Sequence, residues 1–183
     1  FFVVFLLIFG FTFFTQFFQV FLIEKFQFSQ SDIGDLFAYV GVWIVFTQGV
    51  LMRFVFKHVS SMRMLRVSLL ALALFFPLLI IPHSSMYLFI VLPFIAIAYG
   101  LSIPHITALV SQAAGKESQG EILGINQSIL SLAQAVPPVI AGLVASLHTS
   151  LPILVAGFTT LCSWLAFMLF FREKQRVVFH EVE

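Results

Sequence analysis

Charge is scarce in this sequence. Of its 183 residues only 9% are Asp, Glu, Lys or Arg, against roughly 25% in an ordinary water-soluble domain. That is too little polar surface to clothe a globule of this size, and 61% of the residues are hydrophobic. The same abundance of apolar side chains excludes disorder. Nine basic residues against eight acidic ones leave a net charge of +1, so no global field points to nucleic acid or an acidic partner. The single cysteine, Cys162, excludes an intramolecular disulfide and a cysteine-based zinc site. His58, His83, His105, His148 and His180 lie in separate segments without ligand spacing, so no metal is expected. A nucleophile elbow, H-E-x-x-H and a phosphate-cradling glycine loop are all missing. The chain does not read as an enzyme. It reads as an integral membrane protein.

What is present is a series of long apolar runs. About 20 apolar residues in a helix cross a hydrocarbon core of about 30 Å. Six stretches qualify, at about 1–23, 34–56, 64–82, 85–111, 122–147 and 149–171. They are continuous rather than alternating, which argues against a membrane β-barrel. Helices satisfy every backbone amide within the segment, as lipid demands. The expected fold is all-α, a bundle of six transmembrane helices over 1–171 followed by a charged tail over 172–183. The chain opens on Phe1 and is apolar up to Glu24, without the basic front and cleavage site of a secretory signal. It is therefore expected to be a piece of a longer polypeptide.

The cations set an orientation. Arg53, Lys57, Arg63, Arg66, Lys116, Arg172, Lys174 and Arg176 fall in connections and a tail on one side of the six runs, and Lys25 alone falls on the other. The positive-inside bias makes the first side cytoplasmic, with both ends of the segment there.

No charged residue lies in the middle of a run, so the polar groups that do occur inside the runs are informative. In the first run Thr12, Thr15, Gln16 and Gln19 share an arc of about 100°. Much of the rest is phenylalanine, including Phe2, Phe9, Phe13 and Phe17. The stripe either lines a watery cavity or bonds to a neighbouring helix, where each such bond is worth about 0.6 kcal/mol. In the fourth run Gly100, Pro104, Thr107 and Ser111 form a small-residue stripe and His105 points elsewhere. His105 is either a substrate or proton contact or a neutral imidazole bonded to a carbonyl. In the fifth, Gly120, Gly124, Ser128, Ser131 and Ala135 share a face at small-xxx-small spacing, suited to close helix packing. Asn126, Gln127 and Gln134 beside them could contact substrate. Pro137-Pro138 removes two backbone donors, and a kink or break is expected there.

With these elements placed, the sequence resembles the C-terminal half of a major facilitator superfamily transporter, in the drug/proton antiporter and tetracycline-efflux branch. The most specific stretch is Ser111, Gln119-Gly120, Gly124, Ser128, Ser131-Leu132, Pro138 and Gly142, preceded by Gly100 to Pro104. The connection from Gln48-Gly49 to Arg63 is similar to a basic loop of that family. Phe56, beside Lys57, stands where the family has an acid, and Ser60 where it has a glycine. Arg53, Lys57 and Arg63 are the candidate residues of this loop. The resemblance implies two inverted three-helix repeats forming half of a twelve-helix fold, with a second six-helix bundle as partner. It implies a bacterial-type inner or plasma membrane and alternating access to a small organic solute. Proton-coupled efflux is the implied direction, with no other cofactor, and the coupling acids would lie in the N-terminal half. Cavity roles are carried onto Gln16, Gln19, His105 and Gln134; the residues themselves add Thr12 and Gln127. A nutrient-uptake symporter and a non-transporting scaffold or lipid-handling subunit are the alternatives.

Overall fold

A computed structural model describes residues 1–81, 84–113 and 118–170. His83, Lys116, Arg172, Lys174, Arg176, His180 and the expected tail lie outside the described residues. The described residues form seven α-helices, in the order α1 (Phe2–Phe26), α2 (Gln30–Phe46), α3 (Met52–His58), α4 (Ser61–Leu78), α5 (Leu88–Ala113), α6 (Gln119–Leu147) and α7 (Leu151–Phe170). The described residues contain no strand. A π-turn over Thr47–Leu51 joins α2 to α3, so that Gln30–His58 forms one span. Among the described residues six helices are thereby long and apolar enough to cross a membrane.

The short connections follow from local capping. At the end of α1 Gln27 adopts a left-handed conformation (φ 57°) and its N–H bonds to the Ile23 carbonyl at 3.0 Å, closing a helix end that glycine more often closes. Ser29 then opens α2. Its hydroxyl accepts from the Asp32 N–H at 3.2 Å while the Asp32 carboxylate accepts from the Ser29 N–H at 2.8 Å, a reciprocal capping box. At the far end of that span Val59 is extended and Ser60 caps α4, accepting from the Arg63 N–H at 3.4 Å.

The helices alternate in direction, and contacts between their ends fix this. Lys25 Nζ donates to the Ile80 carbonyl, and the Tyr39 hydroxyl donates to the Phe89 carbonyl at 2.9 Å. Those four residues mark one end of the bundle. At the other, the Ser163 hydroxyl donates to the Val3 carbonyl at 2.8 Å. Arg53, Lys57, Arg63 and Arg66 sit at this second end, around the α3–α4 junction; we refer to it as the basic end.

Packing follows an exchange pattern. α1 packs on α7 and α6, α5 packs on α4 and α2, and α4 packs on α7. Exchanging the first three spans for the last three maps α1–α7 onto α4–α5 and α1–α6 onto α2–α5, and leaves α4–α7 as the contact across the exchange. Because each set holds an odd number of spans, the two run in opposite senses, as inverted repeats do. A ring cluster ties the centre together: Phe11 stacks on Tyr99 at 3.4 Å, and Phe14 lies 5.0 Å from Phe76. It joins α1, α4 and α5. The apolar stretches of α1 and α5 are 50% and 56% buried, whereas those of the α2–α3 span and α6 are only 11% and 12% buried.

Two expectations from the sequence are modified. The helix runs through Pro137-Pro138 without a break; the i→i−4 bonds on either side of the pair hold the helix together. A separate irregularity falls at Thr47–Leu51, where the Met52 N–H reaches back to the Thr47 carbonyl, an i→i−5 bond typical of a π-turn. Secondly, the small-residue face of α6 is exposed and has no packing partner among the described residues. A Cβ placed on Gly120, Gly124 or Gly142 would meet nothing within 4 Å.

Candidate functional site

The polar groups singled out in the sequence separate into open and enclosed sets. On α1 the stripe passes from the interior to the surface. Thr12 is buried and donates to the Ile8 carbonyl at 2.8 Å, and Thr15 donates to the Thr12 carbonyl at 3.2 Å. One turn on, Gln16 and Gln19 are exposed. On α6, which packs against α1, Gln127 and Gln134 are exposed as well. Ser128 and Ser131 beside them donate to the Gly124 and Gln127 carbonyls, so their hydroxyls are satisfied within their own helix. The two adjacent helices thus present four amide side chains on open faces. Primary amides both donate and accept hydrogen bonds and carry no charge, a chemistry that tolerates varied solutes.

Asn126 and His105 lie inside. Asn126 is buried with Oδ1 unpartnered, on the narrow strip of α6 that includes buried Ala133 and Pro137. His105 on α5 is fully buried, and neither ring nitrogen has a hydrogen-bond partner. The carbonyl-bonded imidazole considered from sequence is therefore not what forms. Its ring instead lies 4.4 Å from that of Phe56 on α3. A buried polar group left unmatched costs about 1–3 kcal/mol; Arg66 Nε, Ser68 Oγ, Asn126 Oδ1 and Trp164 Nε1 share this state, but His105 has both of its ring nitrogens unmatched.

At the basic end two cavities open on either side of Leu109. One, of about 170 Å³, is almost wholly apolar and is lined by Val4, Leu65, Ile106, Val110 and Phe167 among others. The other, of about 370 Å³, lies between the α3–α4 junction and the end of α5, lined by Phe56, Val59, Ser60, Ser61, Leu109 and Gln112. Arg53, Lys57 and Arg63 are exposed around this junction. The structure does not bring these three together with the α1 and α6 glutamines: the first group is at the basic end, the second along the spans. Among the described residues no His, Cys, Asp and Glu cluster could hold a metal ion.

Comparison with known proteins decides the family. The profile of the Major Facilitator Superfamily matches residues 1–180. The chain belongs to that superfamily. It is similar to multidrug resistance protein 2 of Bacillus subtilis, with 28% identity over 156 residues, covering 85% of this chain and 39% of that protein. Multidrug resistance protein 1 of the same organism is similar at 28% over 151 residues, 82% of this chain and 39% of its own length. The chain thus spans about two fifths of the length of each relative. As a member of this superfamily it is an integral membrane protein with the all-α arrangement described above.

Sequence reasoning missed two features of this superfamily chain. Phe56 registered only as a departure from a loop pattern, although its ring covers His105. The π-turn had one visible signal, Gly49, whose added Cβ would meet nothing within 4 Å.

Proposed function

We propose that this chain is one half of a secondary transporter that exports small organic solutes by alternating access, in exchange for protons. The observation that carries the reading is the pair of open spans. The α2–α3 span and α6 are each about one-tenth buried, one from each repeat, and both carry glycines with free space over them. A second six-helix bundle docking on these two faces encloses the amides of Gln16, Gln19, Gln127 and Gln134 between the halves, with Thr12 at the inner edge of the same stripe. The relatives match over only 39% of their length, which leaves room for such a bundle. Both relatives are multidrug resistance proteins, which favours drug-like organic solutes as cargo.

In this mechanism the two bundles rock about a midplane site. The basic end faces the cytoplasm, since Arg53, Lys57, Arg63 and Arg66 gather there and Lys25 stands alone at the opposite end. Arg53, Lys57 and Arg63 then border the cytoplasmic mouth. Bacterial inner or plasma membrane is the setting, and both ends of the segment are cytoplasmic.

The test uses the full-length protein in drug-sensitive bacteria loaded with a fluorescent lipophilic dye. Energised cells should extrude the dye, a protonophore should abolish extrusion, and Gln16→Leu with Gln134→Leu should slow it by about tenfold or more. Protonophore-insensitive extrusion would overturn proton exchange, and dye accumulation above the vector control would indicate uptake instead. Cysteines placed at Gln16, Gln19 and Gln134 should react with water-borne thiol reagents. If all three are inert, the chain is a scaffold and the transport reading falls.

A further inference from the structure

We propose that His105 is a proton-binding site reached from the cytoplasmic side through a door made by the Phe56 side chain. The proposal rests on the proton-coupled reading above for its role, and on geometry for its location.

His105, Leu109 and Gln112 share one face of α5 by their spacing. Leu109 and Gln112 line the 370 Å³ cavity at the basic end, and so does Phe56. His105 lies one turn deeper than Leu109 and is fully buried. The Phe56 ring, 4.4 Å from the imidazole on one side, faces the cavity on the other and is itself 45% exposed. With the ring in place both imidazole nitrogens lack partners. If the ring swings aside, cavity water can bond both of them, so hydration of His105 favours opening.

Phe56 is carried on a segment built to move. α3 has seven residues, with a π-turn before it and extended Val59 after it. Only Met52 of the seven is buried. Thr47 anchors the upper side of the turn: its hydroxyl donates to the Trp43 carbonyl at 2.7 Å, and its methyl carbon would lie 3.2 Å from a Cβ on Gly100. Gly49, two residues on, has free space around it. Irregular turns of this kind absorb a hinge rotation.

The surrounding charges fix the sign. Near the basic end of the helices packed on α5 stand Arg53, Lys57 and His58 on α3, Arg63 and Arg66 on α4, and Glu121 on α6; Asp32 and Asp35 of α2 lie towards the opposite end. A proton taken up by His105 faces a preponderance of like charge on α3 and α4. Repulsion and the need of the imidazolium for water both act to move α3 away. A lower cytoplasmic pH therefore favours the open door.

The experiment treats membrane vesicles carrying the full-length transporter with diethyl pyrocarbonate and reads carbethoxylation of each histidine by mass spectrometry. His58, exposed at the end of α3, is the internal standard. With Phe56 present, His105 should react at least about tenfold more slowly than His58, the factor that a local opening cost of about 1.4 kcal/mol imposes. Phe56→Ala should accelerate His105 by about tenfold and leave His58 within about twofold, and Phe56→Trp should keep His105 slow. If His105 reacts as fast as His58 in the unaltered protein, or no faster after Phe56→Ala, the door does not exist. The unaltered protein alone decides the first point should Phe56→Ala fail to accumulate, and Phe56→Leu is then the second variant. The proton role is read from efflux: Phe56→Ala should shift its pH dependence, and the shift should vanish in a His105→Gln background. A shift that persists there removes His105 from proton binding. Labelling requires no transport, so loss of the export reading and loss of the door are separate results.

Discussion

Glycine has opposite uses on the packed and the open spans of this bundle. On α1 a Cβ added to Gly10 would run into the Thr159 hydroxyl and lie 3.0 Å from the Ala156 carbonyl oxygen. On α7 a Cβ on Gly157 would lie 3.1 Å from the Pro77 ring. Gly100 on α5 meets Thr47 at 3.2 Å. On the α2–α3 span and α6, by contrast, Gly34, Gly41, Gly49, Gly120, Gly124 and Gly142 meet nothing within 4 Å. Lipid chains are as apolar as leucine, so helices in a membrane associate by close fit rather than by escaping water. The first group shows that fit completed inside the chain. The second shows glycines over which the described residues leave open space.

The sharpest way to break this contrast is to fill one glycine of each kind in the full-length protein. Gly10→Leu should destabilise the α1–α7 seam by about 1–3 kcal/mol or more, seen as a lower unfolding temperature and poor yield after detergent extraction. Gly124→Leu should leave the six-helix bundle folded but lower dye efflux by about tenfold, because it obstructs docking of the other half. Equal loss of folded protein from both would show that α6 is packed within this chain after all. A smaller effect is expected from Gly157→Ala, about 1 kcal/mol, since the Pro77 ring can give only slightly; thermal unfolding in detergent measures it. The smallest comes from Ser163→Ala, which removes the hydroxyl bonded to the Val3 carbonyl and should cost about 0.6 kcal/mol. A cost several times larger would mean that this one bond, rather than the glycine contacts, holds α1 to α7.

Much of the architecture could be read along the chain. The six runs and the polar breaks between them are local properties, and the Ser29–Asp32 box is visible as a Ser followed three residues later by an acid. The α1 stripe could also be read as one face, and Gln16 and Gln19 do lie open. The fate of His105 could not. Nothing in the residues from Gly100 to Ser111 says that a phenylalanine 49 positions earlier will cover the ring. Nor does small-xxx-small spacing say whether its partner lies within this chain; the same spacing suits a helix already packed and one that is waiting.

The sequence by itself determined the solvent, the number of crossings and the end at which the arginines gather. Each is set residue by residue, through the cost of moving side chains and backbone amides into hydrocarbon. Tertiary structure alone decided which glycines are filled, where the second span loses its regular bonding, and which imidazole is left without partners. Those outcomes depend on contacts between distant segments, and in lipid such contacts are selected by shape rather than by hydrophobicity.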